Sequence, residues 1–258
     1  MTFDSHEPQP RRRTMLIWIG ALAAIGVIAF GGFAVWFLRD DAPDEVSIDA
    51  AAQLVDEPAT GGDDATATSD AGPVDISGTW RVDTSIGEFS YEDSTGTFVG
   101  FRIAEELSGI GSTEAIGRTP AVTGTLVADG TTITEVAIEA DMTAITTNDS
   151  RRNNKVQDAL DTDQFPTATF TLDEPVDVDD VALTGETTTI DATGQLTIHG
   201  VTQTVTLPLQ ARLVDDTIVV VGSLDITFAD YDVEVPTAPV VLSVDDHGPL
   251  ELQLFFTR

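Results

Sequence analysis

A strict alternation of apolar and polar residues, interrupted by turn residues, governs the chain from Val74 to its last residue. Successive side chains of a β-strand point to opposite faces, so this alternation is typical of half-buried strands. The clearest apolar faces are Val201, Val205, Leu207, Leu209, Ala211 and Leu213; Ile218, Val220, Leu224, Ile226 and Phe228; and Leu250, Leu252, Leu254 and Phe256. The pattern predicts an all-β fold.

The number of candidate strands constrains the architecture further. Roughly eight to ten can be counted in chain order, near 76–83, 88–92, 98–103, 121–128, 133–142, 167–172, 190–198 and in the last three apolar-faced segments. Turn signals such as Asp129-Gly130 and His199-Gly200 separate them. Meandering antiparallel strands of this number close into a barrel or a sandwich, because closure removes exposed edges.

One short helix is predicted between two of these strands. Asn148, Asp149 or Ser150 can cap a helix from Arg151 to Leu160, with Val156 and Leu160 on one face. Phe165-Pro166 then returns the chain to extended structure.

A long apolar run near the N-terminus predicts a transmembrane helix over residues 14–38. It contains no charged residue and, at about 1.5 Å per residue, exceeds a hydrocarbon core of about 30 Å. Three arginines precede it, so residues 1–13 are predicted to be cytoplasmic and the rest extracytoplasmic, tethered to the plasma membrane by a single pass. A cleaved signal peptide is the competing interpretation, although the run is longer than such apolar regions and ends in bulky residues.

Residues 39–73 are predicted to form a disordered acidic linker. Ten acidic residues between Asp40 and Pro73 meet no Lys or Arg, and the segment is rich in Ala, Thr, Gly and Pro. Such a composition buries too little apolar surface to offset the entropy cost of ordering. Calcium binding is the alternative interpretation, but the spaced ligands of a calcium loop are missing. The predicted barrel domain therefore covers residues 74–258.

Charge and composition exclude several functions. The net charge is −32, from 12 Lys and Arg against 44 Asp and Glu. The negative electrostatic field of such a chain repels the phosphates of nucleic acid. There is no Cys, which excludes disulfides and thiolate chemistry. His6, His199 and His247 lack convergent partners in the sequence, and no nucleophile, phosphate-binding or zinc motif is present. We expect no catalytic residue, no metal and no cofactor.

Four segments, in this order, resemble the YceI-like family of bacterial lipid-binding proteins. They are ISGTWRVDTSIGEFSYE, FVGFRIAEEL, NDSRRNNKVQDALDTDQFPTATF and GQLTIHGVTQTVTLPLQ, and the resemblance covers nearly all of 74–258. It implies a lipocalin-like barrel whose apolar tunnel holds a polyisoprenoid or similar lipid. Two departures concern the head group: Phe228-Ala229 stand where relatives often carry Asn-Arg, and the helix lacks a histidine frequent in relatives.

The predicted ligand-binding residues are aromatic and aliphatic side chains expected on the inner face of the barrel. They are Trp80, Phe89, Phe98, Phe101, Phe165, Phe170, Leu196, Ile198, Val205, Leu207 and Phe228. The same residues could instead fill a solid core, as in many small barrels. Three functions therefore remain: binding of an apolar molecule or lipid, a ligand-free surface module that contacts a partner, and a lipid-modifying enzyme that no residue cluster supports. The oligomeric state stays open.

Overall fold

The computed structural model describes residues 42–56, 74–90, 95–109, 111–148, 150–178, 184–236 and 241–258. The predicted cytoplasmic tail 1–13, the predicted transmembrane helix 14–38 and the linker residues 39–41 and 57–73 lie outside the described residues. Within the described ranges, no helix is both long enough and apolar enough to cross a bilayer.

Twelve strands and two short helices make up the described chain. The helices are α1, Ile48–Asp56, and α2, Ser150–Ala159. The strands are β1 Gly78–Val82, β2 Phe98–Leu107, β3 Gly111–Thr119, β4 Val122–Asp129, β5 Thr132–Asp141, β6 Thr167–Leu172, β7 Val176–Asp177, β8 Thr188–Ile198, β9 Val201–Val214, β10 Thr217–Thr227, β11 Val241–Val244 and β12 His247–Thr257. Short 3₁₀ turns follow β5, at Met142–Ala144, and β10, at Phe228–Tyr231.

Eight strands close into an antiparallel barrel in the order β1-β4-β5-β6-β8-β9-β10-β12. The ring is completed between β12 and β1, where Arg81 pairs with Thr257 and Val82 with Phe256. The predicted all-β antiparallel barrel is confirmed. Strand β2 pairs with residues 250–253 of β12, before the part of β12 that pairs with β1. Strands β3 and β11 in turn pair with β2.

Side-chain alternation places the core inside this ring. The apolar faces predicted on β9, β10 and β12 line the barrel interior, apart from Val201 at the start of β9. The members at one end of the barrel pack with Trp80 and Leu126 into the main core; they are Leu213, Ile218, Val220, Leu254 and Phe256. The period-two pattern of the sequence therefore determines which side chains of these strands face the interior.

Some strand predictions were wrong. No strand forms at 88–90, the described part of the strand predicted at 88–92. Strand β3 was missed because its sequence, GSTEAIGRT, does not alternate. Its Glu114 pairs with Arg102 of β2 and its buried Arg118 pairs with Glu251 of β12, so the burial of Arg118 follows charge rather than hydropathy.

The predicted helix between β5 and β6 is confirmed as α2. Val156 is buried and Leu160 follows the last helical turn, donating its N–H to the Val156 carbonyl at 3.0 Å. Both side chains reach the barrel interior. Helix α2 therefore covers the end of the barrel at which β5 ends and β6 begins.

Part of the predicted disordered linker is ordered, and this corrects the prediction over 39–73. Helix α1 buries Ile48, Ala51 and Ala52 against the outside of the barrel. A second core joins them to Val219 and Phe255, which point outward from β10 and β12. The spacing Ile48, Ala51, Ala52 and Val55 is that of an amphipathic helix, so a local apolar face outweighs the acidic composition.

Candidate functional site: an apolar cavity in the barrel

The barrel encloses a cavity of about 280 Å³ whose wall is almost entirely apolar. At one end lie Ile76, Ile133 and Ile218, next to the β4–β5 and β9–β10 turns. At the other end, which we call the mouth, Leu160 and Tyr231 complete the wall. The volume is close to the lower end of small-molecule sites, which are about 300–1,000 Å³. The barrel interior is thus incompletely filled by its own side chains.

Seven of the eleven predicted ligand-binding residues lie on the cavity wall. They are Phe101, Phe170, Leu196, Ile198, Val205, Leu207 and Phe228. They come from β2, β6, β8 and β9 and from the start of the turn after β10. The structure therefore brings residues that are up to about 130 positions apart into one apolar surface, as alternation predicts.

The other four predicted residues lie elsewhere. Trp80 is buried in the main core, donates its indole N–H to the Ile76 carbonyl at 2.8 Å and lies beneath the Arg258 guanidinium. Phe98 faces outward from β2 and packs under Arg118. The two remaining residues are in loops: Phe89 is half-buried, and Phe165 packs edge-on against His199. An aromatic residue in or near a strand is therefore not enough to predict a place on the wall.

Several wall residues were not predicted as ligand-binding. Val156 and Ala159 of α2, with Leu160 directly after it, close the mouth on one side, and Tyr231 and Val233 close it from the segment after β10. The sequence predicts an apolar face on α2, but it does not indicate which part of the barrel this face contacts. The segment after β10 forms a tight turn stabilised by the Val233 N–H bonding to the Phe228 carbonyl at 3.1 Å.

Two glycines create space for aromatic rings at the wall. A Cβ added at Gly117 would lie 2.5 Å from the Phe101 ring, and one at Gly194 would lie 2.6 Å from the Phe170 ring. Each ring therefore occupies the space that a side chain on the neighbouring strand would take. Both rings belong to the cavity wall.

One polar group on the wall has no internal partner. The Tyr231 hydroxyl is buried and makes no hydrogen bond to any residue that the structure describes. Burial, and then the nearby Asp230 carboxylate, raise the pKa of Tyr231, so the hydroxyl keeps its proton. The Tyr231 carbonyl lies 3.1 Å from Nδ1 of His199, which holds the turn against the β8–β9 hairpin.

The two histidines in the described ranges lie in different segments, His199 in the β8–β9 turn and His247 at the start of β12. His247 is exposed, and its pKa is raised first by a hydrogen bond to Asp246. Across the described ranges, no group of three or more His, Asp or Glu side chains is placed to hold a metal ion. The described cavity can bury an apolar molecule and offer it one hydrogen bond, from the Tyr231 hydroxyl at the mouth.

Comparison with known proteins agrees with this architecture. The YceI-like domain model matches residues 91–256. A polyisoprenoid binding domain from Saccharophagus degradans, implicated in plant cell wall breakdown, has a TM-score of 0.52 and 22% identity, covering 69% of this chain and 97% of that one. BcnA from Burkholderia cenocepacia has a TM-score of 0.48 and 19% identity, covering 62% of this chain and 94% of that one. No curated protein matches the chain.

Proposed function

This chain belongs to the YceI-like family, and we propose that it binds a long apolar molecule, such as a polyisoprenoid or another lipid, inside the barrel. The observation that carries the proposal is the cavity itself, which is apolar and unfilled from Ile76 to Tyr231. Burying apolar surface contributes about 25 cal/mol per Å², so such a wall favours a hydrocarbon chain over a polar metabolite. The fold relative from Saccharophagus degradans is described as polyisoprenoid binding, which supports this ligand class.

We also propose that the barrel is tethered to the outer face of a bacterial plasma membrane. The support is the sequence of residues 14–38, which is long and apolar, together with the three arginines before it. A tethered binding protein would hold its ligand close to the bilayer from which an apolar molecule comes. In this role the barrel binds its ligand without changing it chemically.

A pair of tryptophan substitutions tests the cavity. Leu207→Trp adds a large side chain to the wall. Thr171→Trp places the same side chain on the outside of β6, where Thr171 is exposed and lines neither the cavity nor the groove between β9 and β10. Retinol, a fluorescent isoprenoid alcohol, is the probe. The full chain is held in an amphipathic polymer, and retinol is titrated against the wild type and both variants.

We expect saturable binding with one site for the wild type and for Thr171→Trp, and at least tenfold weaker binding for Leu207→Trp. The free space in the barrel should limit the stability cost of the extra ring to about 1–3 kcal/mol. Equal retinol affinity in all three proteins would show that the probe does not enter the cavity, and it would refute the proposal.

A further inference from the structure

The barrel wall separates near its mouth. Strands β9 and β10 pair from Val214 and Thr217 as far as Leu209 and Gly222, and their ladder ends there. Beyond this point, β9 continues to pair only with β8 and β10 only with β12. The separation begins at Pro208, which has no N–H to donate to a neighbouring strand. A gap therefore opens between 201–208 and 223–227.

The turn Phe228–Tyr231 occupies this gap. The Gln203 side chain of β9 donates to the Asp230 carbonyl at 2.8 Å, and His199 in the β8–β9 turn contacts the Tyr231 carbonyl, so the β8–β9 hairpin holds the turn in place. Tyr231 contributes to the wall of the inner cavity and also to an outer groove between the two strands. It is the residue at which the apolar interior meets the polar surface.

The Tyr231 hydroxyl is placed as a binding group that the fold itself does not use. The residue is 2% exposed, and its oxygen has no hydrogen-bond partner among the described residues. Leaving a buried hydroxyl without a partner is unfavourable, and phenylalanine would pack in the same space without that cost. A polar atom of a bound molecule would satisfy the hydroxyl.

We propose that Tyr231 donates a hydrogen bond to a neutral oxygen, a hydroxyl or a carbonyl, at the head of the ligand whose apolar chain fills the barrel. This inference rests on the proposed function and specifies its ligand class. The head lies at the gap between β9 and β10, and the chain extends from there toward Ile76 and Ile218 at the opposite end.

The charges at the gap favour a neutral head over a phosphate or a carboxylate. The groove is lined by the carboxylates of Asp225 and Asp230, and no Lys or Arg is found among the described residues that line it. Arg212 also borders the cavity, but its guanidinium pairs at 2.5 Å with Asp49 of helix α1, which lies on the outside of the barrel. An anionic head would be desolvated beside negative charge without a counter-charge.

Three probes that share one apolar chain separate the contributions of head and chain. Farnesol carries a neutral hydroxyl, farnesyl phosphate an anionic head, and farnesene no polar head. Each is titrated into the full chain in an amphipathic polymer, and binding is measured by native mass spectrometry. The variants are Tyr231→Phe, which removes only the hydroxyl, and Phe170→Leu, which reduces the apolar wall.

We expect the wild type to bind farnesol more tightly than farnesene, and farnesyl phosphate most weakly. Tyr231→Phe should weaken farnesol binding roughly three- to tenfold and leave farnesene affinity unchanged, as the loss of one hydrogen bond predicts. Phe170→Leu should weaken both to a similar degree.

Two results would overturn the Tyr231 inference while leaving the proposed function intact. One is an unchanged farnesol affinity in Tyr231→Phe when all probes bind; the other is wild-type binding of farnesyl phosphate as tight as that of farnesol. If neither farnesene nor farnesol binds the wild type, cavity binding is refuted and the Tyr231 inference falls with it.

Discussion

Replacing Glu251 by Gln should destabilise the protein strongly, because the Glu251 carboxylate is held in a buried cluster of ion pairs. The Glu251 carboxylate lies 3.3 Å from Nε of Arg102 and 3.0 Å from a terminal nitrogen of Arg118. All three side chains are almost completely buried, at 2%, 6% and 3% exposure. The segment before α1 covers them, and Arg102 and Arg118 donate to the carbonyls of Pro43 and Asp44.

The magnitude follows from the charge that would be left unbalanced. Burial by itself lowers the pKa of Arg102, but the charges of Glu251 and Glu114 together with their hydrogen bonds outweigh it and raise the pKa overall, so the guanidinium stays charged. Removing one partner of a buried ion pair costs about 3–5 kcal/mol. Gln keeps one acceptor oxygen and Arg102 keeps Glu114 at 2.5 Å, so we expect about 3 kcal/mol.

Urea unfolding of the full chain, followed by circular dichroism, measures this loss. At an m value of about 2 kcal/mol per M, a loss of about 3 kcal/mol lowers the midpoint by about 1.5 M. Glu114→Gln is the matched control: its side chain is 39% exposed, so its loss should stay below about 1 kcal/mol. A Glu251→Gln midpoint equal to the wild type, or a Glu114→Gln loss of the same size, would refute the reasoning.

Three further predictions follow from the described contacts. Gly117→Ala should push the Phe101 ring off the wall, cost about 1–3 kcal/mol in thermal unfolding and weaken retinol binding, whereas unchanged binding would contradict the role of the glycine. Ala51→Asp buries a charge under α1 and should raise hydrogen exchange in that helix, while the exposed control Ala50→Asp should not. The pKa of Asp83 is lowered, first by a side-chain hydrogen bond from the serine two residues along. Its stabilising contribution is therefore present above the unfolded value of about 3.8 and lost as the pH falls through the folded pKa, so the melting difference between wild type and Asp83→Asn should shrink from about pH 5 toward pH 3.

The barrel and much of the cavity wall could be predicted because period-two patterning encodes which side of a strand is buried. Leu196, Ile198, Val205 and Leu207 reach the cavity for this reason. Trp80 does not, because an inward side chain can also pack at a filled end of the barrel. Alternation distinguishes inside from outside but carries no information about position along the barrel axis.

Helix α1 was missed because composition was given more weight than periodicity. The sequence of β10 also indicates that its outer face is covered. Its residues 218–221 form a continuous apolar run, and Val219 and Val221 are buried under α1. A strand that is apolar on both faces indicates cover on both sides. Whether the interior is hollow could not be predicted from single strands, because it depends on contacts between strands, such as that of Gly117 with Phe101.

Identifying what the full chain carries from a bacterial membrane tests the central claim most directly. The wild type and Leu207→Trp are expressed in a bacterium, extracted in an amphipathic polymer without detergent, and analysed by native mass spectrometry and organic extraction. We expect one long-chain neutral molecule per wild-type chain and none in the variant. A wild-type barrel that is empty, and that stays empty after incubation with farnesol and retinol, would contradict the account and favour a ligand-free surface module.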